Sequence, residues 1–220
     1  MAKGNRGGSR GRGGGGGGLN PSDIISQNDM GSYLAEGDKR EEARQVFSVS
    51  NDMQQEYGAD VAIYGFDTAV LKPKAAGTIA FYDGQNIAIN QSYFDINRVD
   101  KAYADCVKNG FHPSNGNKTA MQAVAAHEYG HALTDFAANK MGIKGIGALD
   151  QAANKIVNEA RKLTSHRGVV IMSRKISEYA TYSNAEAVAE AVSDVYCNGS
   201  KAHAESRAIV SVLNGYLKKK

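Results

Sequence analysis

His127 and His131 stand four residues apart, with Glu128 directly after the first, and these are the residues whose types and spacing could do chemistry. On a helix, four residues make slightly more than one turn, so both imidazoles emerge on one face within reach of a single ion. This H-E-x-x-H arrangement predicts Zn²⁺ held by two neutral imidazoles, with Glu128 as the base that takes a proton from water. The chemistry implied is hydrolysis of a peptide bond in a protein or peptide substrate.

A catalytic zinc needs a third protein ligand and an open position. The continuation H-E-x-x-H-x-x-G-x-x-H would require glycine at 134 and histidine at 137, and the chain has Thr134 and Ala137 there. That arrangement is excluded. His112, His166 and His203 each stand alone in sequence, and a lone histidine is more often a surface or core residue than a ligand. Of the three, only His166 falls in a suitable downstream loop. The other solution is a glutamate from a later helix, and Glu186 and Glu190 provide two on one face. Glu186 could reach the metal while Glu190 holds a ligand histidine from behind. A plainer reading exists for both: Ser183 with Glu186 forms a capping box, and Glu190 could be a solvated charge. The upstream motif favours the metal reading.

The elements that must position these residues are legible in outline. Thr119 and Gln122 form a capping box that starts the central helix, where Met121, Ala125, Tyr129, Ala132 and Phe136 define a buried stripe beside the histidine face. Gly130 lowers helix propensity by about 1 kcal/mol relative to Ala, which predicts close approach of another backbone. Upstream, Asp38 with Glu41 predicts a helix from Lys39 to Tyr57, ended by Gly58. Residues 60–66 and 78–82 read as strands, and Asp83-Gly84 signals a hairpin into 86–90. The strand at 86–90 is expected beside the central helix, free to pair with an extended substrate. A short helix follows from Asp100 to Asn109. Downstream, Ala148 to Leu163 reads as helix, Gly168 to Met172 as extended, and two further helices span Ala185 to Cys197 and Lys201 to Lys218.

His127-Glu128-Tyr129-Gly130-His131, Tyr179 and Asn184-x-Glu186-x-x-Ala189-Glu190-Ala191 together resemble the lethal-factor-like zinc peptidases. That family includes the anthrax lethal factor catalytic domain, the Pro-Pro endopeptidases and domains associated with phage head morphogenesis. The resemblance covers roughly residues 58–196. It implies an α+β, zincin-like fold: a small, mostly antiparallel sheet packed on the H-E-x-x-H helix, then a helical C-terminal half, within a domain spanning 38–220. It also implies a tyrosine seven residues before the glutamate ligand, pointing at the catalytic centre. That position is Tyr179, whose phenol could donate to an oxyanion, with Tyr182 as a nearby rival. Two departures stand out. Val188 and Val192 replace the phenylalanines usual around Ala-Glu-Ala, and the 55 residues from His131 to Glu186 admit the extra helix at 148–163.

Residues 1–18 hold ten of the chain's 25 glycines and four basic residues, with no acidic ones. They have nothing apolar to bury, which predicts a disordered tail, with 19–37 as a polar linker. Removing those four from the 26 Lys and Arg leaves 22 against 23 Asp and Glu, so the +3 formal charge belongs to the termini. Arg-Gly-Gly at 6–8 and 12–14 would contact nucleic acid weakly at most, and a solubilising leader is the plainer reading. No charged start leads into an apolar run, so no secretion signal or membrane span is expected. With two cysteines, Cys106 and Cys197, the expected setting is cytoplasmic or virion-associated. The alternative function class is a virion or nucleic-acid-associated structural protein, with a working Gly/Arg tail and a non-catalytic zinc-binding body.

Overall fold

A helix that is buried on nearly every face, Ala120–Lys140, forms the axis of the molecule. The computed structural model describes residues 32–33, 40–72, 75 and 77–218. In chain order these form β1 (Ser32–Tyr33), α1 (Glu41–Tyr57), β2 (Ile63–Phe66), β3 (Ala80–Tyr82), β4 (Ile87–Asn90), α2 (Ile96–Lys108) and α3 (Ala120–Lys140). Then follow α4 (Ala148–Leu163), α5 (Val169–Ser173), α6 (Asn184–Asn198) and α7 (Ala204–Leu217). The class is α+β, mostly helical, with a small mixed sheet. The tail at 1–18 and the capping position Asp38 lie outside the described residues. Within the expected linker, Ser32 and Tyr33 pair with Gly65 and Tyr64 of β2.

The sheet order is β1-β2-β4-β3. Its β3–β4 hairpin and β1–β2 pairing are antiparallel, but β2 and β4 run parallel, from Ile63↔Ile87 to Phe66↔Asn90. The expectation of a mostly antiparallel sheet is therefore corrected to a mixed one. Segment 67–79 carries the chain past one strand position before the hairpin, so β4 returns between β2 and β3 in the direction of β2. Consequently β4 has both edges occupied, and among the described residues β3 lies at one border of the sheet and β1 at the other. Side chains alternate across the sheet as the pleat requires. Ile63, Ala80, Tyr82, Ile87 and Ile89 join the main core, while Phe66, Phe81 and Ala88 meet Leu71 in a smaller cluster on the other face.

Thr119 caps α3 as expected: its hydroxyl accepts from the Gln122 N–H, and the Gln122 side chain accepts from the Thr119 N–H. Fully buried Met121, Tyr129 and Leu133 contribute roughly 1.5–3 kcal/mol each through removal from water. The Tyr129 hydroxyl donates to Ser50 Oγ at 2.8 Å, tying α3 to α1, and Ser193 Oγ donates to the Ala123 carbonyl at 2.8 Å, tying α6 to α3. Several boundaries differ from expectation. Helix α1 begins after Arg40, which offers no side-chain cap, and Gly58 ends it at φ 67°. Helix α2 begins after Asp95, whose carboxylate accepts from the Asn97 and Arg98 N–H groups. Residues 169–173 are helical rather than extended, with Met172 and Ser173 turned inward.

Gly130 has the predicted packing reason. A Cβ there would lie 2.6 Å from Ala189 Cα and 3.2 Å from both the Ala189 carbonyl oxygen and Val192 Cβ. Backbone cannot rotate aside, so α3 and α6 touch at this point only because the side chain is absent. Gly130→Ala should therefore destabilise the fold by about 1–3 kcal/mol through overpacking, despite a propensity gain of about 1 kcal/mol. Chemical denaturation checks this, and equal or greater stability would contradict the close approach.

Candidate metal centre

Helix α3 presents His127, Glu128 and His131, and α6 presents Glu186 and Glu190 to them. Each α6 position follows from the local sequence: Ser183 caps the helix by accepting from the Glu186 N–H at 3.0 Å, and Ala189 seats it against Gly130. Ser183 thus satisfies the helix start by itself. The Glu186 carboxylate is directed instead at the histidines, with Oε2 3.1 Å from His127 Nε2 and 3.6 Å from His131 Nε2.

One ligand atom from each of His127, His131 and Glu186 lies within 4.8 Å of the other two, and all three residues are buried. This group could hold a metal ion. The donor atoms also show the pattern a cation would satisfy: His127 Nε2 and His131 Nε2 are buried with no hydrogen-bond partner, despite the ion-pair distances to Glu186. Burial opposes the charge of Glu186, but His131 and His127 outweigh it and bring its pKa down to about 2. Burial likewise opposes charge on His127, yet the Glu186 and Glu190 carboxylates win and hold its pKa well above the usual imidazole range. Without a cation, these residues form a buried ion-pair cluster.

Glu190 sits behind His127. Its Oε1 lies 2.8 Å from His127 Nδ1 and 3.0 Å from His112 Nδ1, and its Oε2 accepts from Ser177 Oγ at 2.8 Å. A carboxylate can only accept, so this contact puts a proton on His127 Nδ1 and turns the Nε2 side toward Glu186. Burial works against the ionised form of Glu190, and His112 and His127 override it, keeping its pKa far below the usual carboxylate range.

Glu128 meets the border of the sheet at β3. Its carboxyl accepts from the Tyr82 backbone N–H, and its pKa is raised because burial outweighs the pull of His127 and His131. Oε2 of Glu128 is buried without a partner. The Asp83 N–H donates to the Asn86 carbonyl and the Asn90 N–H to the Ile79 carbonyl, so alternation turns the backbone groups of Ala80 and Tyr82 away from β4. Among the described residues, the border strand facing the site is thus β3, with its Tyr82 N–H taken by Glu128, which corrects the expectation for residues 86–90.

Tyr179 is buried, with its ring 5.7 Å from that of His127 and its phenol hydrogen-bonded to Glu186. Burial, with the carboxylates of Glu186, Glu128 and Glu190, pushes its pKa far above the usual phenol range. Tyr182 stacks edge-on against Tyr179 at 5.2 Å but is largely exposed. His166 is elsewhere, its Nε2 2.9 Å from Glu205 Oε1, and His203 pairs with Asp194 at 2.9 Å. The residues that sequence reasoning passed over are His112, Ser177 and the Tyr82 N–H. None carries a spacing signal: His112 is separated by 78 residues from the carboxylate it meets.

Among the described residues, no helix is long and apolar enough to cross a membrane. No family model matches this chain, and neither a curated protein nor a solved structure matches it.

Proposed function

We propose that the chain is a zinc-dependent endopeptidase with a zincin-like fold, in which His127, His131 and Glu186 hold the metal. The observation that carries this reading is the convergence of two imidazoles from α3 and one carboxylate from α6 in a buried centre. Tetrahedral ligands about 2.0–2.1 Å from zinc stand roughly 3.3 Å apart, and the contacts of Glu186 Oε2 to the two Nε2 atoms are 3.1 and 3.6 Å. Two histidines and one carboxylate match the donor set of catalytic zinc, which keeps its fourth position for water.

When bound, the ion supplies the electrophile that lowers the pKa of a water to about 7 and polarises a peptide carbonyl. The rest falls to the chain. Glu128, anchored by the Tyr82 N–H and raised in pKa by burial, takes the water proton and returns it to the leaving amine. Tyr179 keeps its proton throughout the neutral range and, with the Glu186 carboxylate engaged as a metal ligand, turns that donor from Glu186 to the oxygen of the attacked carbonyl. The outward N–H and carbonyl of Ala80 and the carbonyl of Tyr82 pair with an extended peptide, which sets the scissile bond beside Glu128. A peptide bound this way is recognised through its main chain, leaving side-chain preference to the walls around it.

Tyr179→Phe should lower kcat by about 10²-fold, the scale of one lost oxyanion donor, with zinc content unchanged. Equal kcat would return Tyr179 to a packing role. The test of the function is incubation of the full chain with a mixed peptide library while zinc is quantified. New termini should form, vanish on chelation and return with zinc. A second reading, a zinc-binding but proteolytically silent body, draws on the low exposure of His127, Glu128, His131 and Glu186, none above 5 %. One zinc per chain with no cleavage would favour it.

A further inference from the structure

The geometry points to His112 as a positioning residue of this centre, holding Glu190 so that Glu190 in turn holds His127 in the orientation that offers Nε2 to a metal. The inference rests on the metal reading of His127, His131 and Glu186. Glu190 is 1 % exposed and hydrogen-bonds on both oxygens, to Ser177 Oγ through Oε2 and to the two imidazoles through Oε1. A carboxylate shared in this way has its plane and its distance to His127 fixed from both sides. Removing the His112 donor frees one side and lets the carboxylate swing about Ser177.

His112 is itself held in place by aromatic contacts in addition to its edge-on approach to the His127 ring at 6.4 Å. Its ring lies parallel to that of Tyr103, at 5.4 Å and 4°, and meets Phe111 edge-on at 4.9 Å. The Tyr103 hydroxyl donates to the Pro113 carbonyl at 3.2 Å, pinning the loop that carries the histidine. The same loop is zipped to the catalytic tyrosine: the Glu178 N–H donates to the Gly110 carbonyl at 2.8 Å and the Tyr179 N–H to the Phe111 carbonyl at 3.1 Å. The His112 ring also abuts Tyr179 at 5.3 Å. One loop thereby sets both the carboxylate behind His127 and the phenol in front of it.

Outer-shell partners of metal ligands are worth about 10–100-fold in metal affinity. The test is Zn²⁺ binding to the full chain, by competition with a chromophoric chelator, so it needs no substrate. His112→Phe keeps a ring between Tyr103 and Tyr179 but removes the donor, and should weaken zinc binding about 10–100-fold. His112→Asn places an amide N–H where Nδ1 was, and should restore affinity to within a few-fold of wild type. Should His112→Phe fail to fold, His112→Leu, close to Asn in shape but lacking the donor, makes the same comparison. Affinity unchanged in the donorless variant overturns the inference, as does equal loss with Asn and with Phe, which would mean that ring shape alone matters. Wild-type chain that binds no zinc overturns the metal reading itself, and is thus distinguishable from failure at His112.

Discussion

Glu128→Gln is expected to reduce peptide cleavage by about 10³–10⁴-fold, the upper part of what a positioned general base contributes, while zinc content stays at the wild-type level. The amide matches the carboxylate in shape and can still accept from the Tyr82 N–H, so Glu128 keeps its place at the border of β3. What it lacks is an oxygen able to take a proton from water. The fold should not suffer. Burial raises the Glu128 pKa, so ionising the group costs free energy at any pH above the ordinary carboxylate range, and a neutral amide removes that cost. Steady-state kinetics beside metal analysis separates the two effects. A variant cleaving at the wild-type rate would reject Glu128 as the base.

His131→Ala should abolish zinc binding and activity together and lower stability by about 2–4 kcal/mol. Two losses combine. The first is one of three donors, after which His127 and Glu186 alone cannot retain the ion against solvent. The second is electrostatic: Glu186 is 4 % exposed, and His131 is the larger of the two influences that keep it ionised. Without that imidazole, a buried carboxylate is left with weaker compensation. His166→Ala serves as the control, since His166 pairs with Glu205 away from the centre. It should retain zinc and activity. Loss of zinc in the control and retention in His131→Ala would mean that the ligand set is misassigned.

The parts of the fold legible in the sequence are those fixed by local rules. Thr119 and Gln122 mark the start of α3, Gly58 the end of α1 and Ser183 the start of α6, because capping depends on neighbours within three residues. Gly130 was readable because a glycine inside a helix demands a reason, and the reason is Ala189. Sheet order was not readable. Which of β3 and β4 lies at the border depends on how 67–79 crosses, and both strands have the same apolar texture. Residues 169–171 look extended by their β-branched side chains, yet Gly168 starts a short helix there, with the Met172 N–H donating to its carbonyl.

The site divides along the same line. His127 and His131 announce themselves by spacing, and Glu186 with Glu190 by sharing one face of a helix. His112 gives no such signal. Its contact with Glu190 arises only when the loop ahead of α3 folds back over α6, and Tyr103 and Phe111, which hold it there, look in sequence like ordinary aromatics. Ser177 is equally silent, since a serine near a helix start suggests a cap before it suggests a carboxylate partner. Its hydroxyl in fact does two tasks, accepting from the Ala180 N–H at 3.0 Å and donating to Glu190.

The most direct measurement is anomalous diffraction at the zinc absorption edge from crystals of the full chain purified without chelator. The account predicts one strong peak per chain, about 2.0–2.2 Å from His127 Nε2, His131 Nε2 and a carboxylate oxygen of Glu186. A map with no peak there, or with its peak on other residues, would contradict it.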